Sequence, residues 1–176
     1  MTNDPLIRPL TAADRRAIAF SFGHLGKRSL YQRFLAPVRQ LSPAQLERMA
    51  RVDHWHHEGF IAYSPVPRSP IGVAEYVRLD AFDEAEFAIA VVDAWQRRGV
   101  GSALAAALRE RALAAGIRRF TGTTLTANAG SVALARQLGR VRTARNYRDL
   151  AELRIDLLES HRPAAAPTAS RSLVRL

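Results

Sequence analysis

The amino-acid sequence predicts an α+β fold: one domain built on a mixed sheet, mostly antiparallel with one parallel crossover, flanked by helices. Three observations predict it. The chain has 176 residues, 48 % of them hydrophobic and 24 % charged, the size and composition of one compact globular domain. The strand-like segments between 59 and 92 are joined by short connections, which makes them antiparallel neighbours. The stretch 86–125 then reads strand, glycine turn, alanine-rich helix, strand, the pattern of a right-handed crossover between parallel strands.

Each element has its own local reason. "LIRPL" (6–10) is a short first strand. "TAADRRAIAFSF" (11–22) follows, with Thr11 as N-cap and Asp14 three residues on, a capping-box arrangement. "RSLYQRFL" (28–35) is a second helix, with Ser29 as its expected cap. "SPAQLERMAR" (42–51) is a third, with Ser42 at the cap and Pro43 at the first helical position, where a missing N–H costs nothing. "GFIAYS" (59–64) and "IGVAEYVRL" (71–79) are strands, and the proline-rich 65–70 between them serves as a hairpin loop. After the crossover helix, Gly116 suits the helix end. "IRRFTGTTL" (117–125) is β-branched and reads as a strand, "SVALARQLG" (131–139) as a short helix stopped by Gly139, and "AELRIDLL" (151–158) as the last strand. The domain is expected over 1–160. The tail 161–176, rich in proline, alanine and arginine and without periodicity, is expected to be disordered.

Composition excludes several functions. There is no cysteine, hence no disulfide, thiolate metal site or cysteine nucleophile. No apolar run approaches the roughly 20 residues that span a bilayer. The first ten residues lack a charged head followed by an apolar stretch. A cytoplasmic location and no membrane partner are the expectation. The net charge of +10 invites a nucleic-acid reading. However, Lys27 is the only lysine among 26 basic residues, and the arginines are dispersed without interleaved aromatics. A nucleic-acid partner is not expected. His54 and His56 would share one side of an extended segment at a spacing that suits zinc, but no third ligand stands out and no metal is expected. Leu104, Ala107 and Leu108 form the core-facing stripe of the crossover helix.

The turn "QRRGVG" (96–101) is the most informative segment. Gly99 and Gly101 let the backbone adopt unusual dihedrals and approach a ligand closely. The helix that follows points its unpaired N–H groups and its positive dipole end back at the turn. That arrangement suits an anion such as a phosphate, with Arg97 and Arg98 adding bidentate charge. A surface turn with glycines for geometry and arginines for solubility is the alternative on these six residues alone. The turn is neither a P-loop, since no Gly-Lys-Ser/Thr follows, nor the dinucleotide fingerprint, which needs a third glycine.

In its context the chain resembles the GNAT superfamily of acyl-CoA-dependent N-acetyltransferases. Their turn of Gln/Arg, two residues, Gly, one residue and Gly/Ala is matched by Gln96, Gly99 and Gly101. Their asparagine after the next strand is matched by Asn128, and their helix-ending "LG" by 138–139. The likeness runs from 6 to 157, and in 29–35, 52–63, 71–79 and 85–104 it is greatest to the acetyltransferase domain of bacterial protein lysine acetyltransferases.

The resemblance implies a GNAT-like fold and acetyl-CoA as co-substrate, with its pyrophosphate on the turn. It implies cofactor binding by Val91, Val92, Gln96, Arg97, Arg98, Gly99, Val100, Gly101, Ser102 and Asn128, the N–H groups around Val91 and Val92 also serving the oxyanion. The implied acceptor is a primary amine, foremost a protein lysine. A small-molecule amine N-acetyltransferase of the same fold, or an acyl-CoA-binding sensor without turnover, is the alternative; the oligomeric state is left open.

Amine acetylation needs a general base, because a lysine ammonium has a pKa of about 10.4. Strand alternation sets Glu84, Glu86, Ala88, Ala90 and Val92 on one face. The family's catalytic glutamate matches the position of Glu86, which is therefore the expected base. Glu84 shares its face, and Glu75 on the preceding strand is the next rival. The tyrosine that many relatives use as general acid is missing from 131–139, with Tyr147 the nearest after it, so the acid is unassigned.

Overall fold

Capping and alternation locate the elements. The structure, a computed structural model, describes residues 4–145 and 149–157. The boundary at 160, the tail 161–176 and Tyr147 lie outside the described residues. The elements run β1 (Leu6–Pro9), α1 (Arg15–Gly23), α2 (Lys27–Phe34), α3 (Pro43–Ala50), β2 (His57–Tyr63), β3 (Pro70–Arg78), β4 (Glu84–Val91), α4 (Val100–Ala114), β5 (Arg119–Leu125), α5 (Ala129–Leu138), β6 (Gly139–Arg145) and β7 (Leu150–Leu157). Single turns of 3-10 helix at 12–14 and 93–95 lead into α1 and out of β4. Among the described residues the strands form one sheet in the order β1-β2-β3-β4-β5-β7-β6. Every neighbouring pair is antiparallel except β4 and β5, which are parallel as the crossover requires. The α+β mixed sheet is as expected from sequence.

Period-two alternation divides the core into two layers. On one face of β1–β4, the helices α1, α2 and α3 bury Leu10, Ile18, Phe22, Leu30 and Met49 against Ile61 and Val73. On the other face, α4 and α5 bury Leu104, Leu108, Ala112 and Leu138 against Tyr76, Phe120, Leu153 and Ile155. Consecutive residues of β3 serve opposite layers: Val73 one, Ala74 and Tyr76 the other.

Two details differ from the sequence reading. Gly26, rather than Ser29, caps α2, and its N–H donates to Asp93 Oδ2 at 3.2 Å. Ser29 lies inside the helix and turns its hydroxyl to another partner, described below. The segment 139–145 was not foreseen as a strand. It carries one half-buried apolar residue, Val141, among arginines, and is a strand because it pairs along its whole length with β7. Gly139 ends α5 as its C-cap, as expected, and is at the same time the first residue of β6. A β-carbon there would come within 2.0 Å of the Asp156 carbonyl oxygen, so only glycine lets the chain pass straight from α5 into the sheet.

Asp14 ties the entry of α1 to the sheet edge. Its carboxylate accepts from Arg8 Nη2 at 2.6 Å and Nη1 at 2.8 Å, and from the N–H and hydroxyl of Thr11. The Arg8 hydrogen bond, with those of Thr11, overcomes the burial penalty and holds the Asp14 pKa at about 2, below the ordinary 3.8. A depressed carboxylate pKa favours folding above the unfolded value, and that contribution is lost as pH falls through the folded one. The shift corresponds to about 2 kcal/mol. Asp14→Asn is therefore expected to lower stability by about 2 kcal/mol at pH 6. In urea denaturation from pH 6 to pH 2, its gap to the wild type should close between pH 4 and pH 2. A gap independent of pH would refute the assignment.

Candidate active site

The sheet parts where β4 leaves β5. The two strands pair only over Glu84–Arg119, Ala85–Phe120 and Glu86–Thr121, while β4 stays on β3 as far as Gly72–Val91. Phe87 is the first residue past the junction and stacks on Phe120, with ring centroids 5.2 Å apart. A cavity of about 800 Å³ lies along the gap, within the usual range for ligand sites. Its walls come from β4, from the turn and first turn of α4, from β5, from the start of α5 and from α2.

Two residues in the left-handed region bend the turn. Arg97 has φ +61 and Gly99 has φ +83, a conformation that costs a side chain roughly 1–2 kcal/mol and glycine almost nothing. Gly99 is the N-cap of α4, and the first backbone bond of the helix runs from the Ala103 N–H to the Gly99 carbonyl. The N–H groups of Val100, Gly101 and Ser102 precede it and have no intrahelical acceptor. With Gly99, Gly101 and Ser102 on the cavity wall, the end of α4 turns unpaired N–H groups and its positive dipole end toward the cavity, an arrangement that suits an anion.

The remaining turn residues divide into two groups. Arg97 and Gln96 line the cavity, whereas Arg98 lies over the Trp95 ring, 5.2 Å from its centroid. Val100 is buried in the core and can offer a ligand only its backbone. The Gln96 carboxamide is engaged within the protein. Its Nε2 donates to Val91 O at 3.0 Å, Asp93 Oδ1 at 3.1 Å and Ser29 Oγ at 3.1 Å. It thus joins β4, the turn and α2. Asn128 caps α5 by accepting from the Ser131 N–H and also lines the cavity.

The same strand geometry sorts the candidate oxyanion donors. The Val92 N–H donates to the Ile71 carbonyl at 2.9 Å. Backbone groups alternate sides along an antiparallel strand, so the Val91 N–H turns away from β3, toward the gap. Of the two valines, only Val91 offers an amide there.

The three carboxylates are also distinct. Glu84 is ion-paired with Arg119, which also holds Asp156. Glu75 is mostly buried, accepting from Arg33 Nη2 at 2.5 Å and bonded to His57 Nε2 at 3.1 Å. Burial favours its protonated form, but the His57 hydrogen bond and the charges of Arg33 and His57 outweigh that and lower its pKa. Burial likewise opposes a charged His57, and Glu75 overcomes it, raising the imidazole above its ordinary value. Glu86 lines the cavity, exposed and without an ion pair among the described residues. The other clustered histidines go to separate acids, His54 to Glu58 and His56 to Asp53. Among the described residues no group of three or more His, Asp or Glu is arranged to hold a metal.

Sequence reasoning missed Arg33 and His57. Both had a signal only in hindsight of topology, since Arg33 adjoins the core position Phe34 and His57 is diagonal to Glu75 across β2 and β3.

Comparison with known proteins agrees with this geometry. The family model described as Acetyltransferase (GNAT) family matches residues 28–139. The crystal structure of the GNAT domain of S. lividans PAT is 30 % identical, with a TM-score of 0.78 over 87 % of this chain and 90 % of that one. An acetyltransferase of Pseudomonas aeruginosa is 26 % identical over 138 residues, 77 % of this chain and 74 % of the relative. The fold is also that of yncA from Salmonella typhimurium, solved with its cofactor acetyl-CoA, at 20 % identity and a TM-score of 0.69 over 93 % of this chain and 99 % of that one. A family match over more than half of the chain, on a sheet that parts at the expected junction, is decisive: the chain belongs to the acetyltransferase (GNAT) family.

Proposed function

We propose that this acetyltransferase moves the acetyl group of acetyl-CoA to a primary amine by direct attack, with Glu86 as general base and a protein lysine as the foremost acceptor. One observation carries the reading. Among the described residues Glu86 is the carboxylate on the cavity wall and has no ion-pair partner, on the strand leading to the glycine turn and α4. The likeness of 29–35 and 52–63 to protein lysine acetyltransferases supports the choice of acceptor.

Base, oxyanion donor and pyrophosphate holder then each have a residue. Glu86 takes the proton of the acceptor ammonium, directly or through one water. The neutral nitrogen attacks the thioester carbonyl, and the Val91 N–H receives the charge that develops on its oxygen. That attack forms the C–N bond; as the tetrahedral adduct collapses the C–S bond breaks, its electron pair leaving on sulfur, and the second proton of the amine nitrogen passes to the departing thiolate directly or through water. The amides of Gly101 and Ser102, with Arg97, hold the pyrophosphate.

Labelled acetyl-CoA incubated with a panel of proteins and free amines, read by mass spectrometry, tests the acceptor. Label on protein lysines and not on free amines is the expected result. Label on free amines alone would overturn it, and binding without transfer to any acceptor would make the protein a sensor. Gly101→Val tests the donor site separately. A β-carbon at Gly101 would meet Val91 and Leu134 at 3.7 and 3.8 Å, ordinary contact distances, so the helix tolerates it. The two methyl groups beyond it crowd the cavity. Calorimetric affinity for acetyl-CoA is expected to fall about tenfold or more, about 1.4 kcal/mol. An unchanged affinity in the folded variant would remove the pyrophosphate from this turn.

A further inference from the structure

We propose that Arg33 recognises the acceptor, and that the acceptor carries a carboxylate close to the amine it presents to Glu86. This rests on the acetyltransferase reading above and adds to it a substrate class.

Arg33 stands in the last turn of α2 and lines the same cavity as Glu86. Its side chain is only 19 % exposed. A guanidinium has five N–H donors, and in Arg33 only Nη2 is bonded, to Glu75; Nε and Nη1 have no partner among the described residues. Leaving such donors unmet in a largely desolvated place is costly, and a planar carboxylate bonds along one edge of the guanidinium, to the second Nη2 hydrogen together with Nε or Nη1.

The fork is held in position. Glu75 is itself fixed by His57, and the Arg33 guanidinium lies over the Phe34 ring, 5.0 Å from its centroid. A pre-set fork of this kind loses little freedom on binding an anion. The local charge also favours an anion. Arg33 and His57 touch Glu75 and Arg48 acts on it through its field, so three basic groups surround one acid. The single charge of Glu75 does not neutralise them.

The spacing sets the size of the acceptor. Glu75 is directly opposite Ala88 in the β3–β4 register, and Glu86 is the next residue of β4 on that face. Such diagonal neighbours lie roughly 7–8 Å apart. An amine at Glu86 and a carboxylate at Arg33 are therefore within reach of one small molecule or one pair of adjacent residues. An α-amino acid meets this description, and so does a lysine beside an acidic residue in a polypeptide.

Matched acceptors separate these sources and test the idea. Free amino acids are compared with their amides, and lysine peptides carrying a neighbouring glutamate with the same peptides carrying glutamine. The wild type is expected to favour the carboxylate member of one pair by tenfold or more in kcat/KM, and the pair that shows it identifies the source. Arg33→Met should bring the ratio close to one, and Arg33→Lys should restore part of it. No preference on either pair would overturn the proposal. So would a preference that survives in Arg33→Met, or equal losses on both members, the mark of a residue that only clamps α2.

A second measurement is independent of turnover and of the variants folding. The wild-type complex with CoA is titrated calorimetrically with the N-acetylated forms of the same compounds. Equal affinity for carboxylate and amide forms overturns the proposal. Preferential binding of the carboxylate form without any transfer would uphold Arg33 and count instead against the catalytic reading.

Discussion

Glu86→Gln is expected to lower turnover at neutral pH by roughly 10²–10⁴-fold. The substitution keeps size and hydrogen-bonding capacity and removes the basic carboxylate. Acetyl-CoA affinity should stay near that of the wild type, since the cofactor is assigned to the turn and α4, away from this side chain. Raising the pH should recover part of the loss, because more acceptor amine is then neutral without assistance. Glu84→Gln provides the contrast. Glu84 shares the face of Glu86 but is ion-paired with Arg119, so its loss should leave turnover close to normal. Near-wild-type rates in Glu86→Gln, together with an inactive Glu84 or Glu75 variant, would move the base to that residue. If all three carboxylates proved dispensable, base catalysis from this face of the sheet would have to be abandoned.

Phe120→Ala is expected to cost about 3–5 kcal/mol of folding stability. Phe120 is fully buried, with Tyr76 5.8 Å and Phe87 5.2 Å away between ring centroids. Its removal deletes an aromatic from the middle of the larger core layer, flanked by rings too stiff to collapse into the space. Phe82→Ala, at a site 79 % exposed in the loop after β3, should stay within about 0.5 kcal/mol. Urea denaturation of the two variants checks both values. A loss below about 1 kcal/mol for Phe120→Ala would show that Phe87 and Tyr76 close over the gap after all.

Features legible in the sequence were those set by local chemistry. Ser42 and Pro43 announce α3 because a cap and a proline act on their own turn. The parallel junction follows from a strand, a glycine turn and a helix in succession. The turn glycines, Asn128 and Glu86 could be matched one by one, and the structure brings them to one cavity. Illegible features depended on partners distant in the chain. β6 is a strand only because β7 lies beside it, and its arginines conceal the alternation. Ser29 gave up capping α2 to bond Gln96, 67 residues away. Glu84 and Glu86 are equivalent by parity, and only Arg119 from β5 distinguishes them. Arg33 carried no signal, because a helix does not reveal which of its flanking residues overhangs a sheet.

The division of the core into two layers has an evolutionary consequence. Arg33, Glu75 and His57, which are assigned to the acceptor, belong to the first half of the chain, and Arg33 extends from a helix of the smaller layer. The glycine turn, to which the donor's pyrophosphate is assigned, and the stem of α4 come later and are built on the larger layer. Gln96 and Asp93 tie the N-terminal end of α2 to the turn, so independence is expected of substitutions away from that tie, at Arg33 and the strand residues beneath it. On the proposed reading, selection can therefore remodel acceptor choice through the last turn of α2 and the strands beneath it while the donor half is inherited intact, and related chains can diverge in what they modify without relearning how to hold the acetyl donor.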